Sequence, residues 1–150
     1  MNNWLYELDP GAKVYVSDNF DTDYYGFIYR ITNLETGKFY IGKKAFFHNK
    51  KKKLTKKEIA EQTGPGRKQL TRIEQVDSGW KTYWGSSKEL LADIKKLGED
   101  KFKRVILCFA KNKKQLTFFE LQQQIRDNVL FIDSYNDNIL AKFYRKDFEV

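Results

Sequence analysis

Two runs rich in β-formers, Tyr24 to Thr32 and Lys38 to Gly42, flank the turn Asn33-Leu34-Glu35-Thr36-Gly37. Their β-branched and aromatic content, with a glycine closing the turn, predicts an antiparallel hairpin. This feature limits the fold more firmly than any other stretch of the 150 residues. Downstream, Ser86-Ser87-Lys88-Glu89 fits a capping box ahead of Leu90, Leu91, Ile94 and Leu97 at helical spacing, with Gly98 as terminator. Lys101 to Ala110 reads as a strand with a buried centre. A second helix follows from Lys113 or Lys114 to Asn128, with Phe118, Leu121, Ile125 and Val129 on one stripe. The compact solution for this α+β order is a three-stranded sheet flanked by helices.

The ends are less regular. Residues 1–23 read as a loosely packed leader with the turn Asp9-Pro10-Gly11 and one short strand near Val14 to Val16. Leu130 to Val150 mixes short apolar pieces with Asp133, Asn136, Asp137 and Asn138 and closes in a charged tail. Between hairpin and first helix, residues 43–82 form a basic insertion. Lys43, Lys44, Lys50, Lys51, Lys52, Lys53, Lys56, Lys57, Arg67, Lys68 and Arg72 all fall within it. Thr55-Lys56-Lys57-Glu58 has the capping-box pattern of a short helix through Glu61, and Gly64-Pro65-Gly66 breaks it. The plain reading of such a charge run is a solvated, mobile segment. The domain plan is thus a leader over 1–23, a core over 24–140 that includes the insertion, and a tail over 141–150.

Charge and rare residues narrow the function. A net charge of +8 and a pI near 9.4 call for a polyanionic partner, which nucleic acid, an anionic membrane or a ribosome could supply. Cys108 is the single cysteine, so an internal disulfide and a Cys-based zinc site are excluded, and it reads as a small core residue. His48 is the single histidine, which excludes a His-cluster metal centre. The first residues lack the charge-then-apolar order of a signal peptide, and no run approaches the roughly 20 apolar residues that cross a bilayer. The compartment expected is reducing and intracellular, the cytoplasm, with no membrane partner.

Tyr29 in Gly26-Phe27-Ile28-Tyr29 and Tyr40 in Tyr40-Ile41-Gly42 lie across the turn, close together in either plausible register. Taken alone, strand tyrosines are packing or surface residues. The spacing, however, resembles the paired signature of the GIY-YIG nuclease superfamily, with Phe27 where the first glycine would stand. Further along, Glu120 lies on the helix after the strand Phe102 to Phe109, where family members carry a metal-binding glutamate, and Asn138-Ile139 matches the closing asparagine. Trp80 to Ser86 (Trp-x-x-Tyr-x-Gly-Ser) together with Tyr-Ile-Gly-Lys-Lys resembles the phage-encoded branch of homing and Seg-like endonucleases. The resemblance spans roughly residues 24–140, with 43–82 expanded, and a bacterial host of a phage would then be the setting.

The resemblance implies a GIY-YIG-like three-stranded antiparallel sheet and a DNA endonuclease that hydrolyses phosphodiester bonds with one metal ion, Mg²⁺ or Mn²⁺, on Glu120. One carboxylate suffices for such an ion because waters and phosphate oxygens fill the remaining positions. By helical spacing Glu120 falls away from the Phe118, Leu121 and Ile125 stripe, facing either a cleft or plain water. Tyr29 would hold and deprotonate the attacking water, with Tyr40 beside it. A tyrosine titrates near ~10, so cations must lower it, and Lys43 and Lys44 follow the second motif. Gly42 and Asn138 would support the site. Similar nucleases place an arginine on a helix after the second motif. Here that stretch reads Ala45-Phe46-Phe47-His48-Asn49-Lys50, so either a lysine substitutes, Lys43 and Lys44 ahead of Lys50, or Arg67 or Arg72 reaches in from the insertion. Lys50, Lys51, Lys52, Lys53, Arg67 and Arg72 would meet double-stranded DNA. Tyr83 and Trp84 could stack on bases or pack the next helix. Two other classes fit in part: a non-catalytic nucleic-acid-binding protein on the same scaffold, and a basic RNA- or ribosome-associated protein. The oligomeric state is open.

Overall fold

The computed structural model describes residues 3–7, 13–15 and 23–149. Its elements run β1 (Leu5–Glu7), β2 (Lys13–Tyr15), β3 (Gly26–Asn33), β4 (Phe39–Ala45), β5 (Phe47–Lys53), α1 (Lys56–Ala60), β6 (Thr71–Asp77), α2 (Lys88–Leu97), β7 (Phe102–Ala110), α3 (Lys113–Arg126), β8 (Asn138–Ile139) and β9 (Phe143–Tyr144). The predicted hairpin is β3–β4, in a register that sets Tyr29 opposite Gly42 and Ile31 opposite Tyr40. β7 pairs antiparallel with the other edge of β3, so β7-β3-β4 is the expected three-stranded antiparallel core.

The sheet does not stop there. β1 pairs parallel with β7, and β2 antiparallel with β1, giving five strands in the order β2-β1-β7-β3-β4. The leader expected to be loosely packed therefore supplies two strands and a core residue; its Asp9-Pro10-Gly11 turn and Val16 lie outside the described residues. Trp4 is buried, with its ring 5.0 Å from Phe27 and 5.3 Å from Tyr29, and its Nε1 donates to the Trp80 carbonyl at 2.8 Å. A buried ring of this size contributes roughly 1.5–3 kcal/mol toward holding the leader on the sheet, alongside its strand pairing. Phe27, which stands where the signature has glycine, is the other half of that contact and also meets Phe46 and Trp80.

Strand alternation divides the core between the two faces. Phe27, Tyr29 and Ile31 pack with Phe46, Trp80 and the α2 residues Leu90 and Ile94. Ile28 and Ile41 pack with Leu116 of α3 and with Val129, Leu130 and Ile139. Helix α2 begins one residue later than the capping pattern suggests. Ser87 is the N-cap, accepting from Leu90 N, while the Ser86 hydroxyl is engaged elsewhere. Helix α3 is also rotated from expectation. Of the expected stripe, Val129 is buried and Leu121 packs against the core, but Phe118 and Ile125 are 56% and 59% exposed, and Leu116, Glu120 and Gln124 face the sheet. Polar groups occupy that face because they bond the open edge of β4, as described below. Cys108 is half-buried rather than fully within the core, and burial raises its thiol pKa.

The basic insertion is ordered. β5 and β6 form a two-stranded antiparallel ribbon, His48 opposite Val76 and Lys52 opposite Arg72, with α1 near its outer end. The predicted capping box is present, with Thr55 Oγ1 accepting from Glu58 N. At the outer turn Gln62 closes the loop by bonding both N and O of Gln69. At the base, buried Phe46 donates its N–H to Tyr25 O, and Ser78 donates to Phe46 O and Ala45 O. The C-terminal residues are pinned as well. Arg145 donates to the carbonyls of Val129, Ile132 and Asn136 at 2.7, 2.8 and 3.0 Å. A tail expected to be appended thus clamps the 129–136 loop. No described helix is long and apolar enough to cross a membrane.

Candidate active site at the open edge of β4

β4 is the last strand of the sheet, so one row of its backbone groups has no strand partner. Around Ile41 that row is satisfied by side chains. Asn136 accepts from Ile41 N at 2.9 Å and donates Nδ2 to Ile41 O at 2.8 Å, as a peptide of a neighbouring strand would. Gln124 of α3 adds a donor to the same carbonyl at 3.2 Å, and Tyr135 N donates to Phe39 O at 2.7 Å. One helical turn before Gln124, Glu120 meets the strand two residues further on, at Lys43. Its carboxylate lies 3.8 Å from the Lys43 ammonium, and the Lys43 backbone also bonds it.

The tyrosines reach this edge over Gly42. Tyr29 is 1% exposed and packs at 6.1 Å from the Tyr40 ring and 6.0 Å from the Tyr83 ring. A Cβ built on Gly42 would lie 2.4 Å from the Tyr29 hydroxyl oxygen and 2.8 Å from the Tyr40 ring. Glycine at this position is required by the close approach of both phenols. Gly26 is constrained in the same way, since a Cβ there would meet Lys44 O at 2.5 Å. The Tyr40 hydroxyl bonds the Ser86 hydroxyl at 3.0 Å. An open cleft of roughly 630 Å³ lies outside, lined by Tyr40, Ser86, Glu120, Gln124, Asn136 and Asn138.

Trp80 to Ser86 now has a structural account. Trp80 plugs the core, Tyr83 walls Tyr29, and Ser86 holds Tyr40. Tyr83 and Trp84 both pack against the core, and Arg104 stacks over Trp84 at 4.2 Å, so the packing alternative holds for both aromatics. Ser86, Asn136 and Arg145 were not singled out as site or supporting residues from sequence, and Tyr83 was weighed only as a base-stacking or helix-packing residue. Asn136 and Asn138 stand two apart in Asn136-Asp137-Asn138, and spacing alone cannot choose between them. In the structure Asn138 lines the cleft but accepts from Ala141 N as a turn residue, and the bracing expected of it is made by Asn136.

The cations separate by face. Lys43 points to α3, where it also donates to Thr117 Oγ1 at 3.2 Å. Lys44 lies on the tyrosine face with its ammonium 4.0 Å from the Tyr83 ring centroid. The stretch expected to supply a helix for an arginine is strand β5, Arg72 lies on β6 and Arg67 in the exposed turn. Among the described residues, no hydrogen bond or ion pair joins either arginine to the cleft. His48 is exposed on β5, and Lys50 to Lys53 are likewise on the ribbon.

Titration behaviour differs from the expectation that lysines depress Tyr29. Burial pushes Tyr29 well above the ordinary tyrosine value, and the neighbouring Tyr40 and Tyr83 phenols add to the rise. Burial also raises Tyr40, opposed by its bond to Ser86. Glu120 is raised by burial, with Lys43 opposing. A carboxylate that is 17% exposed, with its charge only partly offset by one ammonium, is a site with capacity for more positive charge. The Glu120 carboxylate and the hydroxyl and amide oxygens that share its open cleft fit a hard divalent cation that keeps most of its water. Among the described residues no group of three or more His, Cys, Asp and Glu converges, so Glu120 would act as a lone carboxylate.

No curated protein and no solved structure gives a significant match to the chain. A family model does: the one described as "Putative endonuclease segE, GIY-YIG domain" matches residues 4–147. That span takes in the leader strand with Trp4, the tyrosine hairpin, the ribbon, the Glu120 helix and the Arg145 clamp. The chain therefore belongs to the segE-type GIY-YIG endonuclease family.

Proposed function

We propose that the chain is a divalent-metal-dependent DNA endonuclease whose reaction centre is the open edge of β4. One observation carries this reading: Tyr29 and Tyr40 meet over Gly42, and Glu120 meets the same strand at the next residue, Lys43, and lines one cleft with Tyr40. Glu120 would hold the metal. Bound there, Mg²⁺ or Mn²⁺ supplies positive charge that polarises the scissile phosphate and stabilises the leaving oxygen.

The chain's own residues do the rest. Gly42 admits the Tyr29 hydroxyl to the edge, and Tyr40, fixed by Ser86, borders it. Together the two phenols orient the attacking water. The neutral phenol is the resting form of Tyr29, because burial opposes the phenolate. To act as base, Tyr29 must first release its proton to solvent, and the phenolate then takes the proton of the attacking water. This needs positive charge on its face, where Lys44 lies 4.0 Å from the Tyr83 ring and Arg104 donates to Tyr83 O. Arg104 is engaged with the Lys81 and Tyr83 carbonyls and the Trp4 and Trp84 rings, so Lys44 takes the place of the family arginine, as a point charge without the bidentate fork. Lys43 holds Glu120 in position from the other face. The half-buried Cys108 needs no oxidising compartment, in keeping with action on DNA in the cytoplasm.

Supercoiled plasmid incubated with Mg²⁺, with EDTA, and with the Glu120→Ala variant tests the reading. Metal-dependent nicking or linearisation that disappears in the variant supports it. A folded wild-type protein that binds DNA but never cuts it would favour the non-catalytic alternative.

A further inference from the structure

The ribbon and its turn carry most of the molecule's net charge and no fully buried residue. Residues 47–77 contain nine Lys and Arg against four Asp and Glu, and every charged side chain on β5 and β6 is exposed. In a paired strand, neighbours alternate between faces and opposite residues share one. The register puts Lys50, Glu74, Lys52 and Arg72 on one face, and Lys51, Ile73, Lys53 and Thr71 on the other. Four consecutive lysines, read from sequence as one surface, are therefore divided two and two. Lys52 is tied to Glu74 at 3.9 Å, and Ile73 is 68% exposed.

A cationic surface meant for a flat anionic layer gains nothing from charge on its far side. A ribbon positive on both faces fits a slot whose two walls are both anionic. The major groove of B-form DNA is such a slot, about 12 Å wide and 8.5 Å deep between two phosphate backbones, and it admits a two-stranded ribbon. A-form RNA offers only a deep, narrow major groove that does not. Seven residues per strand at ~3.4 Å each make a ribbon of about 24 Å, long enough to stand in the groove while its base stays on the sheet. The base is fixed by Phe46, Ser78 and Trp80, and β4 runs into β5 through Phe46 alone, so the docking element and the Lys43–Lys44 edge are one continuous piece of chain.

We propose that the β5–β6 ribbon docks the protein on its substrate by entering the major groove of duplex DNA, one cationic face toward each phosphate wall. The choice of DNA rests on the endonuclease reading above; the two-sided insertion rests on the register.

The test is the salt dependence of binding to a 30-base-pair duplex in EDTA, where cleavage cannot interfere. Each lost phosphate contact lowers the slope of log K against log salt by about 0.9. Lys51→Gln with Lys53→Gln, and separately Lys50→Gln with Lys52→Gln and Arg72→Gln, should each flatten the slope, by up to about 2 and 3. Lys95→Gln with Lys96→Gln, which removes charge from exposed positions of α2, should not. Bulky substituents on pyrimidine C5, which fill the major groove, should weaken wild-type binding at least tenfold, whereas a minor-groove ligand should not. Flattening by one face only would mean the ribbon lies flat on its partner and would overturn two-sided insertion. Equal flattening by the α2 pair, or indifference to C5 bulk, would overturn it too. Plasmid nicking by the same proteins keeps the two readings apart. Metal-dependent nicking with ribbon-independent binding defeats only the docking inference. Ribbon-dependent binding without nicking defeats only the nuclease reading.

Discussion

The hairpin β3–β4 and the ribbon β5–β6 are both antiparallel strand pairs, adjacent in the chain and separated by a single residue, yet they are used in opposite ways. β3 is covered on both faces and paired on both edges, and the free edge of β4 is bonded by Asn136 and Gln124 up to Ile41. The ribbon has two strands only, and its charged side chains are all exposed. Isolated strand pairs are marginal in water. This one is tied down at Phe46 and Ser78 and closed at its outer end by Gln62 and a capped helical turn. Packing on every side fixes the geometry that chemistry needs. Exposure on every side leaves charge free for a partner.

That contrast predicts which changes alter turnover, which alter stability and which alter neither. Glu120→Ala should lower cleavage by about 10³-fold or more while leaving duplex binding in EDTA within a few fold, as loss of an electrostatic stabiliser does. Cleavage above a tenth of wild type would remove Glu120 from the centre. Tyr29→Phe should cost about 10²-fold in turnover with an unchanged melting curve. In the wild type, burial raises Tyr29, so activity should keep rising as pH increases into the alkaline range, and that rise should be absent in the variant. A pH profile shared by both proteins would assign the titrating group elsewhere.

Smaller effects test the packing. Gly42→Ala places a methyl on the Tyr29 hydroxyl and should destabilise by about 1–3 kcal/mol, seen as a lower thermal midpoint of about 2–4 °C for each kcal/mol. Glu120→Gln should do the reverse at neutral pH. The folded-state pKa of Glu120 is raised, so its contribution to stability is present in acid and lost as pH rises through that value. The variant's gain in thermal midpoint should therefore fade as the pH is lowered through the carboxylate range, and a gain that is constant with pH would point to another cause. Smallest of all, glutamine at Lys50, Lys51, Lys52 and Lys53 should leave the thermal midpoint unmoved, because exposed charges on the ribbon contribute little to folding. A large drop would mean the ribbon is part of the core's stability after all.

The hairpin, the strand β7, both longer helices and the small capped helix were legible in the sequence, because local signals suffice for each: β-rich runs about a turn, apolar spacing, and a side chain that caps its own helix. The tyrosine pair and Glu120 were legible as candidates through spacing along the chain. What local signals cannot carry is which way an element faces. The Phe118, Leu121 and Ile125 stripe suggested one orientation of α3, but the bond Gln124 donates to Ile41 O and the pairing of Glu120 with Lys43 fix another, and those partners lie some eighty residues away. The same holds for Trp4 in the core, for Asn136 rather than Asn138 against Ile41, and for Arg145 beneath the loop. The sequence by itself determined the hairpin, β7, the helices and the chemistry they could carry, but not the leader strand β1 or the β5–β6 ribbon. Only the tertiary structure decided which groups share the gap at Gly42 and which side of the ribbon each lysine takes, because a buried polar group goes where its long-range partner is, whatever its neighbours in the chain prefer.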